Sequence, residues 1–392
     1  MRKAILVMAL AALAVLLGPR NFAAEKHYII TNDDNPNHNT ATIFEVNTET
    51  GALTQGKSLV TGGIGLNGGF YAAPRNAIDG SGRCFFVSDA GSGDIASFTA
   101  PPPRFLKVGN YSNAQLSGNY AGIGLAASPN GRYLFAAYSG SSNIAVWNIN
   151  SDCSLTLNGN PYADGDQTAM IAVNNAGTEL VVPLPDLEEI ASYSIGLDGV
   201  LTAQPALDFS NVGECATRGC FPAGLDITND GKIVVAGNAS ATGSYAILTA
   251  SLSGSGLSTP GYHTHHTLTI KPETVWFSPA AANGHGILYV SMAGQGRSNF
   301  GVVTVEFNEE PLTMTYLAEF EDSGVAGYGM VQTIGTSGTG GLIAVPNASV
   351  VRSIDVYRVD PNSGKLTALS SIYDQPTNNL MTITAFPKRP TD

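Results

Sequence analysis

Charged residues are scarce in this sequence, and the basic ones are the scarcer kind. Only 13% of the 392 residues are charged, and 19 lysines and arginines stand against 31 aspartates and glutamates, which gives a formal net charge of −12. Nucleic-acid binding needs clustered Lys and Arg to neutralise phosphates, so this balance argues against a nucleic-acid partner. Long amphipathic helices also need many charged, helix-forming residues, so the composition favours strands and turns.

Long apolar runs are missing everywhere except at the N-terminus. The basic residues Arg2 and Lys3 precede an apolar run from 4 to 18, and two alanines follow at 23 and 24. This layout is typical of a secretory signal peptide. The run is shorter than the ~20 residues that a membrane-spanning helix needs. We therefore predict a signal peptide over residues 1–24, with a retained anchor as the alternative. The mature protein, residues 25–392, is expected to be secreted or periplasmic and to have no membrane span.

Cysteines number only four, Cys84, Cys153, Cys215 and Cys220. An even number in an exported protein favours disulfides. Cys215 and Cys220 enclose the short segment CATRGC, and we predict that they bond to each other. Cys84 and Cys153 are then the remaining pair. A metal site is the alternative, but no His or Cys pair lies beside them at zinc spacing.

Glycine, by contrast, is abundant, with 45 residues, and some of it is periodic. A glycine turn followed by an apolar strand recurs in segments such as NGRYLFAAYSG and DGKIVVAGNAS, at intervals of 46 to 55 residues. The six glycines of these turns are Gly82, Gly131, Gly177, Gly231, Gly286 and Gly341. Each repeat holds four short strands and hairpin turns, and four antiparallel strands per repeat of about 50 residues are typical of a propeller blade.

The two ends of the chain predict how the ring closes. The N-terminal segment from 27 to 60 offers three strands, and LMTITAF near the C-terminus offers one strand without a partner of its own. Joined, they complete a seventh blade and remove the exposed sheet edges. We predict an all-β, single-domain, seven-bladed β-propeller. One face of such a ring, here called the loop-rich face, carries the connections that enter each innermost strand and those that join strands two and three.

Several polar residues map to the loop-rich face. His263 and His265 alternate along the chain, so on a strand they would share one side and could hold a metal with Glu273 or an aspartate. Exposed histidines on an edge strand are the alternative. His265 or His266 could instead act as a general base beside Glu273 and an arginine, because the pKa of histidine suits proton transfer near neutrality. Asp33 and Asp34, in NDDNPNHN, suggest either calcium or a plain polar turn.

The sequence has no Gly-x-Ser-x-Gly elbow, phosphate-binding loop or zinc-protease motif. It does carry the segments APRNAIDGSGRCFFVSDAGSGDIASF, LAASPNGRYLFAAYSGSSNIAVWNI and VYRVDPNSGKLTAL, which resemble the lactonase-type propellers. That family includes cycloisomerase-2-like 6-phosphogluconolactonases and fungal carboxymuconate-lactonizing enzymes. The resemblance covers essentially the whole mature chain and implies a seven-bladed propeller.

The resemblance also implies an activity, the opening or closing of a lactone ring without a metal by a His, Glu and Arg set on the loop-rich face. Arg75 matches the Pro-Arg form of the family's inner-strand entry, and Glu273 occupies a corresponding acid position. The histidine of that entry is absent here, and the HTHH run lies several residues upstream of Glu273. The catalytic candidates are Glu273, His265, His266, Arg75 and Arg218.

Two functional hypotheses follow. In the first, the protein is a lactone hydrolase or lactonizing cycloisomerase that acts on a non-phosphorylated sugar or aromatic-derived lactone, since phosphorylated sugar lactones are cytoplasmic. In the second, it is a non-catalytic exported propeller that binds a protein, a glycan or a cell-surface polymer. For both we expect a monomer with no cofactor and no resident metal.

Overall fold

The computed structural model describes the chain from residue 26 to 386, with gaps. The described ranges are 26–68, 73–100, 104–119, 122–228, 230–240, 246–264, 271–277, 286–293, 299–309, 312–323, 332–334, 341–347, 353–360, 363–373 and 382–386. The predicted signal peptide lies outside them. Within these ranges, no helix has the length and apolar character needed to cross a membrane.

Seven antiparallel sheets follow one another along the chain. Blade 1 begins with β1 (His27–Asn32), β2 (Thr40–Val46) and β3 (Leu53–Val60). Blade 2 contains β4 (Asn76–Ile78), β5 (Cys84–Asp89), β6 (Asp94–Thr99) and β7 (Leu106–Tyr111). Blade 3 contains β8 (Ile123–Ala127), β9 (Tyr133–Tyr138), β10 (Asn143–Ile149), β11 (Leu155–Leu157) and the short β12 (Tyr162–Ala163).

The next two blades each include one short helical turn. Blade 4 contains β13 (Ala172–Val173), β14 (Glu179–Leu184), a 3₁₀ turn (Pro185–Leu187), β15 (Glu189–Ile195), β16 (Leu201–Ala203) and β17 (Leu207–Asp208). The helix α1 (Cys215–Arg218) precedes blade 5, which contains β18 (Pro222–Ile227), β19 (Ile233–Asn238), β20 (Ala246–Ser253) and β21 (Gly256–Thr264).

The last two blades and one returning strand complete the ring. Blade 6 contains β22 (Lys271–Phe277), β23 (Gly286–Ala293), β24 (Asn299–Glu309) and β25 (Leu312–Ser323). Blade 7 contains β26 (Gln332–Ile334), β27 (Leu342–Asn347), β28 (Ser353–Val359) and β29 (Leu366–Tyr373). The final strand, β30 (Thr382–Phe386), pairs antiparallel with β1 and becomes the innermost strand of blade 1. The predicted seven-bladed propeller and its closure are confirmed.

Four of the periodic glycines, Gly82, Gly131, Gly177 and Gly231, form one repeated turn between the first two strands of a blade. In blades 2 to 5 the glycine at this turn has a φ of +69° to +76°, a conformation that costs glycine little and other residues more. In blade 3, for example, the amide of Gly131 donates a hydrogen bond to the carbonyl of Ser128. The side-chain hydroxyl of Ser128 accepts hydrogen bonds from the amides of Arg132 and Tyr133. Local turn chemistry therefore sets the register of each inner hairpin.

The core lies between neighbouring blades. Apolar side chains of blade 2, such as Phe86, pack against those of blade 3, such as Trp147, and similar layers join the other blades. The Cys84–Cys153 disulfide crosses from blade 2 to blade 3 within this layer, and Cys215–Cys220 closes the short loop before blade 5. Both predicted disulfides are present.

Candidate functional site

Arg75 lies just before β4, at the inner-strand entry of blade 2, and its side chain is completely buried. Its Nη1 atom is 2.7 Å from Oδ1 of Asp34, which is equally buried. Its Nη2 atom donates to the carbonyl of Gly68 at 2.5 Å. A methyl group on Gly122, at the entry of blade 3, would lie 3.1 Å from this guanidinium. Arg75 thus contacts connections of blades 1, 2 and 3 on the loop-rich face.

The two aspartates of NDDNPNHN are components of a buried turn. Asp34 accepts the amides of Leu66 and Gly68 at 2.8 Å each, in addition to contacting Arg75. Asp33 accepts the hydroxyls of threonines on β1 and β2, namely Thr31, Thr40 and Thr42. This geometry is that of the polar turn. Among the described residues, no three His, Cys, Asp or Glu side chains are grouped so as to hold a metal ion.

A third carboxyl group, that of Asp89, is buried under the connection from blade 1 to blade 2. Asp89, at the end of β5, accepts hydrogen bonds from Nδ2 of Asn39 at 2.8 Å and from the hydroxyl of Thr61 at 2.7 Å. Burial, together with the neighbouring Asp94, raises the pKa of Asp89 well above its ordinary value. A Cβ atom on Gly63 would lie 2.5 Å from the Asp89 carboxylate. The glycine-rich segment TGGIG therefore covers this carboxyl group closely.

Arg218 has a different environment, because half of its side chain is exposed. It ends the helix α1, four residues before β18, and its Nε atom is 3.5 Å from Oε2 of Glu214. The Cys215–Cys220 disulfide encloses it. Of the two candidate arginines, Arg218 is the one that solvent and a ligand can reach in this structure.

His263 and Glu273 lie on either side of the connection from blade 5 to blade 6. His263 is on β21, the outermost strand of blade 5, where its Nε2 atom is 3.0 Å from the hydroxyl of Thr249. Burial lowers the pKa of His263. His265 and His266 lie outside the described residues. Glu273 belongs to β22, the innermost strand of blade 6, where the structure describes the backbone but not this side chain.

Sequence reasoning did not identify Asp164 and Asp166, which lie in the connection that enters blade 4. Burial raises the pKa of Asp164 to about 7, and the nearby Asp166 carboxylate contributes in the same direction. Oδ2 of Asp164 has no hydrogen-bond partner among the described residues. Asp166 accepts the amide of Asp186 at 2.8 Å, which joins this connection to the 3₁₀ turn of blade 4. The segment ADGDQ shows two nearby carboxylates in the sequence, but nothing in the sequence indicates that they are buried.

No family model and no curated protein matches this sequence. Solved structures do match. A candidate 6-phosphogluconolactonase from Bacteroides uniformis ATCC 8492 superposes with a TM-score of 0.69 at 13% identity, over 92% of this chain and 99% of its own. The periplasmic gluconolactonase of Pseudomonas aeruginosa gives 0.63 at 15% identity, over 89% and 96%. The Swd1 propeller domain of Myceliophteria thermophila gives 0.53 at 13% identity, over 78% and 88%.

These similarities extend over most of each chain, while the identities are too low to carry an activity from one protein to another. They agree with the blade count and the ring closure seen in the strand pairing. The chain therefore has the seven-bladed propeller fold that the sequence resemblance implied, and it shares this fold with the solved structures named above.

Proposed function

We propose that this protein is an exported lactonase that hydrolyses a non-phosphorylated sugar or aromatic-derived lactone without a metal. The observation that carries the proposal is the likeness to a periplasmic gluconolactonase over 89% of this chain and 96% of that one. Two disulfides suit an oxidising compartment outside the cytoplasm. The apolar N-terminal segment from 4 to 18 supports export as well.

The proposed chemistry adds water to the lactone carbonyl and breaks the ring C–O bond. The products are a hydroxy acid and, near neutral pH, one released proton. Glu273, or one of the histidines His265 and His266, removes a proton from the attacking water. Arg218 stabilises the negative charge that develops on the carbonyl oxygen. Arg75 has no exposed surface and lies against Asp34, so we assign it a structural role rather than substrate contact.

Titration of released acid at constant pH tests this proposal. The mature protein is assayed with glucono-1,5-lactone, galactono-1,4-lactone, muconolactone and 6-phosphogluconolactone, each with and without EDTA. We expect turnover of a non-phosphorylated lactone that EDTA does not change. Glu273→Gln should lower kcat by about 10²–10⁴-fold, as expected for the loss of a general base. Glu49 is exposed in the β2–β3 turn, on the face opposite the loop-rich face. The control variant Glu49→Gln should have the kcat of wild type.

The results that contradict the proposal are equally definite. Full turnover by Glu273→Gln would show that Glu273 is not the general base. Turnover that EDTA abolishes would contradict a metal-free reaction. Turnover of 6-phosphogluconolactone alone would contradict the substrate class.

A second candidate function is binding without catalysis, to a protein, a glycan or a cell-surface polymer. The specific observation in its favour is that Arg75, the arginine that best matches the lactonase pattern, is fully buried in an ion pair. The Swd1 propeller domain also shares the fold. Saturable binding of a defined glycan, by a folded sample that turns over no lactone in the panel, would favour this function.

A further inference from the structure

Glu188 has a backbone conformation that is unusual for its residue type. It is the last residue before strand three of its blade, and the equivalent residues in blades 2 and 3 are Gly93 and Ser142. All three have a left-handed φ, +76° at Gly93, +51° at Ser142 and +59° at Glu188. Glycine adopts this conformation at little cost, whereas a residue with a Cβ does not. A glutamate in this left-handed conformation suggests that its side chain has a task.

The hydrogen bonds of Glu188 indicate what that task is. Its carbonyl accepts the amide of Phe209 at 3.0 Å, and its Oε2 atom accepts the amide of Cys220 at 2.8 Å. One residue of blade 4 therefore bonds both ends of the segment 209–220, which we call the disulfide loop. A Cβ atom on Gly219 would be 3.4 Å from Oε1 of Glu188, so the carboxylate lies directly against this loop.

The disulfide loop is itself tightly constrained. It contains α1 and the Cys215–Cys220 bond, and both sulfur-bearing residues are buried. Arg218 is exposed between them. The first residue of β18 is four positions after Arg218, so Arg218 lies within about 14 Å of the start of an innermost strand, measured along the chain. The loop thus holds a half-exposed cation, beside Glu214, at the entry to an innermost strand.

We propose that Glu188 is a positioning residue, which fixes the disulfide loop so that Arg218 binds the carboxylate of a polyhydroxy acid at the mouth of the channel. A guanidinium matches a carboxylate because its N–H groups can donate in parallel to both oxygens. This inference rests on the proposed function for the ligand class, since ring opening of a sugar lactone produces such an acid. Glu188 acts through the loop and does not touch the ligand.

Limited trypsin digestion tests the hold of Glu188 on the loop without any assay of activity. Glu188→Gly removes the side chain while keeping a residue that suits the backbone. We expect cleavage after Arg218 to become at least about tenfold faster, because proteolysis follows local opening. Glu188→Gln keeps an acceptor oxygen and should be cleaved after Arg218 as slowly as wild type. The nick lies inside the Cys215–Cys220 loop, so the fragments separate only after quenching and reduction.

Cleavage after Lys57, on the exposed strand β3, provides an internal reference for general unfolding. It should not change between wild type and the variants. Equal cleavage rates after Arg218 in Glu188→Gly and wild type would overturn the inference. A parallel rise after Lys57 would overturn it too, because Glu188 would then stabilise the whole fold rather than this loop.

Calorimetric titration with gluconate tests the ligand, and sorbitol serves as the uncharged control. Wild type should bind gluconate more tightly than sorbitol. Arg218→Met and Glu188→Gly should each weaken gluconate binding by about fivefold or more, as expected when a charged hydrogen bond to a carboxylate is lost. Glu188→Gln should bind within twofold of wild type, because glutamine keeps an oxygen that can accept the Cys220 amide.

The outcomes separate this inference from the proposed function. Gluconate binding that depends on Arg218 and Glu188, without lactone turnover, would support the inference and contradict the lactonase proposal. Lactone turnover with gluconate binding that is absent, or unchanged in both variants, would leave the lactonase proposal standing and overturn the inference.

Discussion

The buried pair Asp34 and Arg75 allows the sharpest test of how the loop-rich face is held together. Both side chains have no exposed surface, and their closest atoms are 2.7 Å apart. Arg75→Met preserves much of the volume but leaves the Asp34 carboxylate with two backbone amides and no counter-charge. Removing one partner of a buried ion pair costs about 3–5 kcal/mol. At about 2 °C per kcal/mol for a chain of this size, Tm should fall by roughly 6–10 °C.

The assay is urea and thermal unfolding of the mature protein, followed by intrinsic fluorescence and circular dichroism. Asp34→Asn combined with Arg75→Met removes both charges and should recover part of the loss, because the double variant no longer buries a lone carboxylate. Arg83→Met is the matched control. Arg83 is half exposed and 3.9 Å from Asp79, so its loss should cost at most about 1 kcal/mol.

One pair of results would refute this reasoning. If Arg75→Met is as stable as Arg83→Met but has lost all lactone turnover, Arg75 contacts the substrate in a conformation other than this one. The structural role assigned to it would then be wrong.

Two further predictions concern other parts of the ring. Burial raises the pKa of Asp164 from 3.8 to about 7, so its contribution to stability is present at low pH and is lost as the pH rises from about 4 through 7. Asp164→Asn should flatten this decline in a plot of Tm against pH. An unchanged slope would contradict the argument that burial of Asp164 causes the decline. Gly124→Ala should destabilise the ring, because the added Cβ would overlap the carbonyl oxygen of Ala169. Gly254→Ala, whose Cβ would meet no atom within 4 Å, should have the wild-type Tm. Equal urea midpoints for the two variants would contradict the close packing of the inner strands.

Most of the fold could be predicted from the sequence because its signals are local and repeated. A left-handed glycine turn recurs between the first two strands of blades 2 to 5, and its spacing predicts the blade length. The unmatched strand near residue 384 and the three strands near the N-terminus predict the closure, since an unpaired edge is unfavourable. The cysteine count and the CATRGC segment predict the disulfide framework.

The environment of each polar residue was decided only by the tertiary structure. Sequence position assigned Arg75 and Arg218 to the same face, but Arg75 is buried against Asp34 and Arg218 is exposed on a constrained loop. Asp34, Arg75 and Gly122 belong to different blades, so no local pattern reports that they meet. The same holds for Glu188 and Cys220, which are 32 residues apart. Burial and charge pairing depend on how connections from neighbouring blades stack, whereas strands and turns depend on residues adjacent in the chain. The sequence by itself therefore determined the ring, and the packing of connections across blades decided which polar groups remain accessible to a ligand.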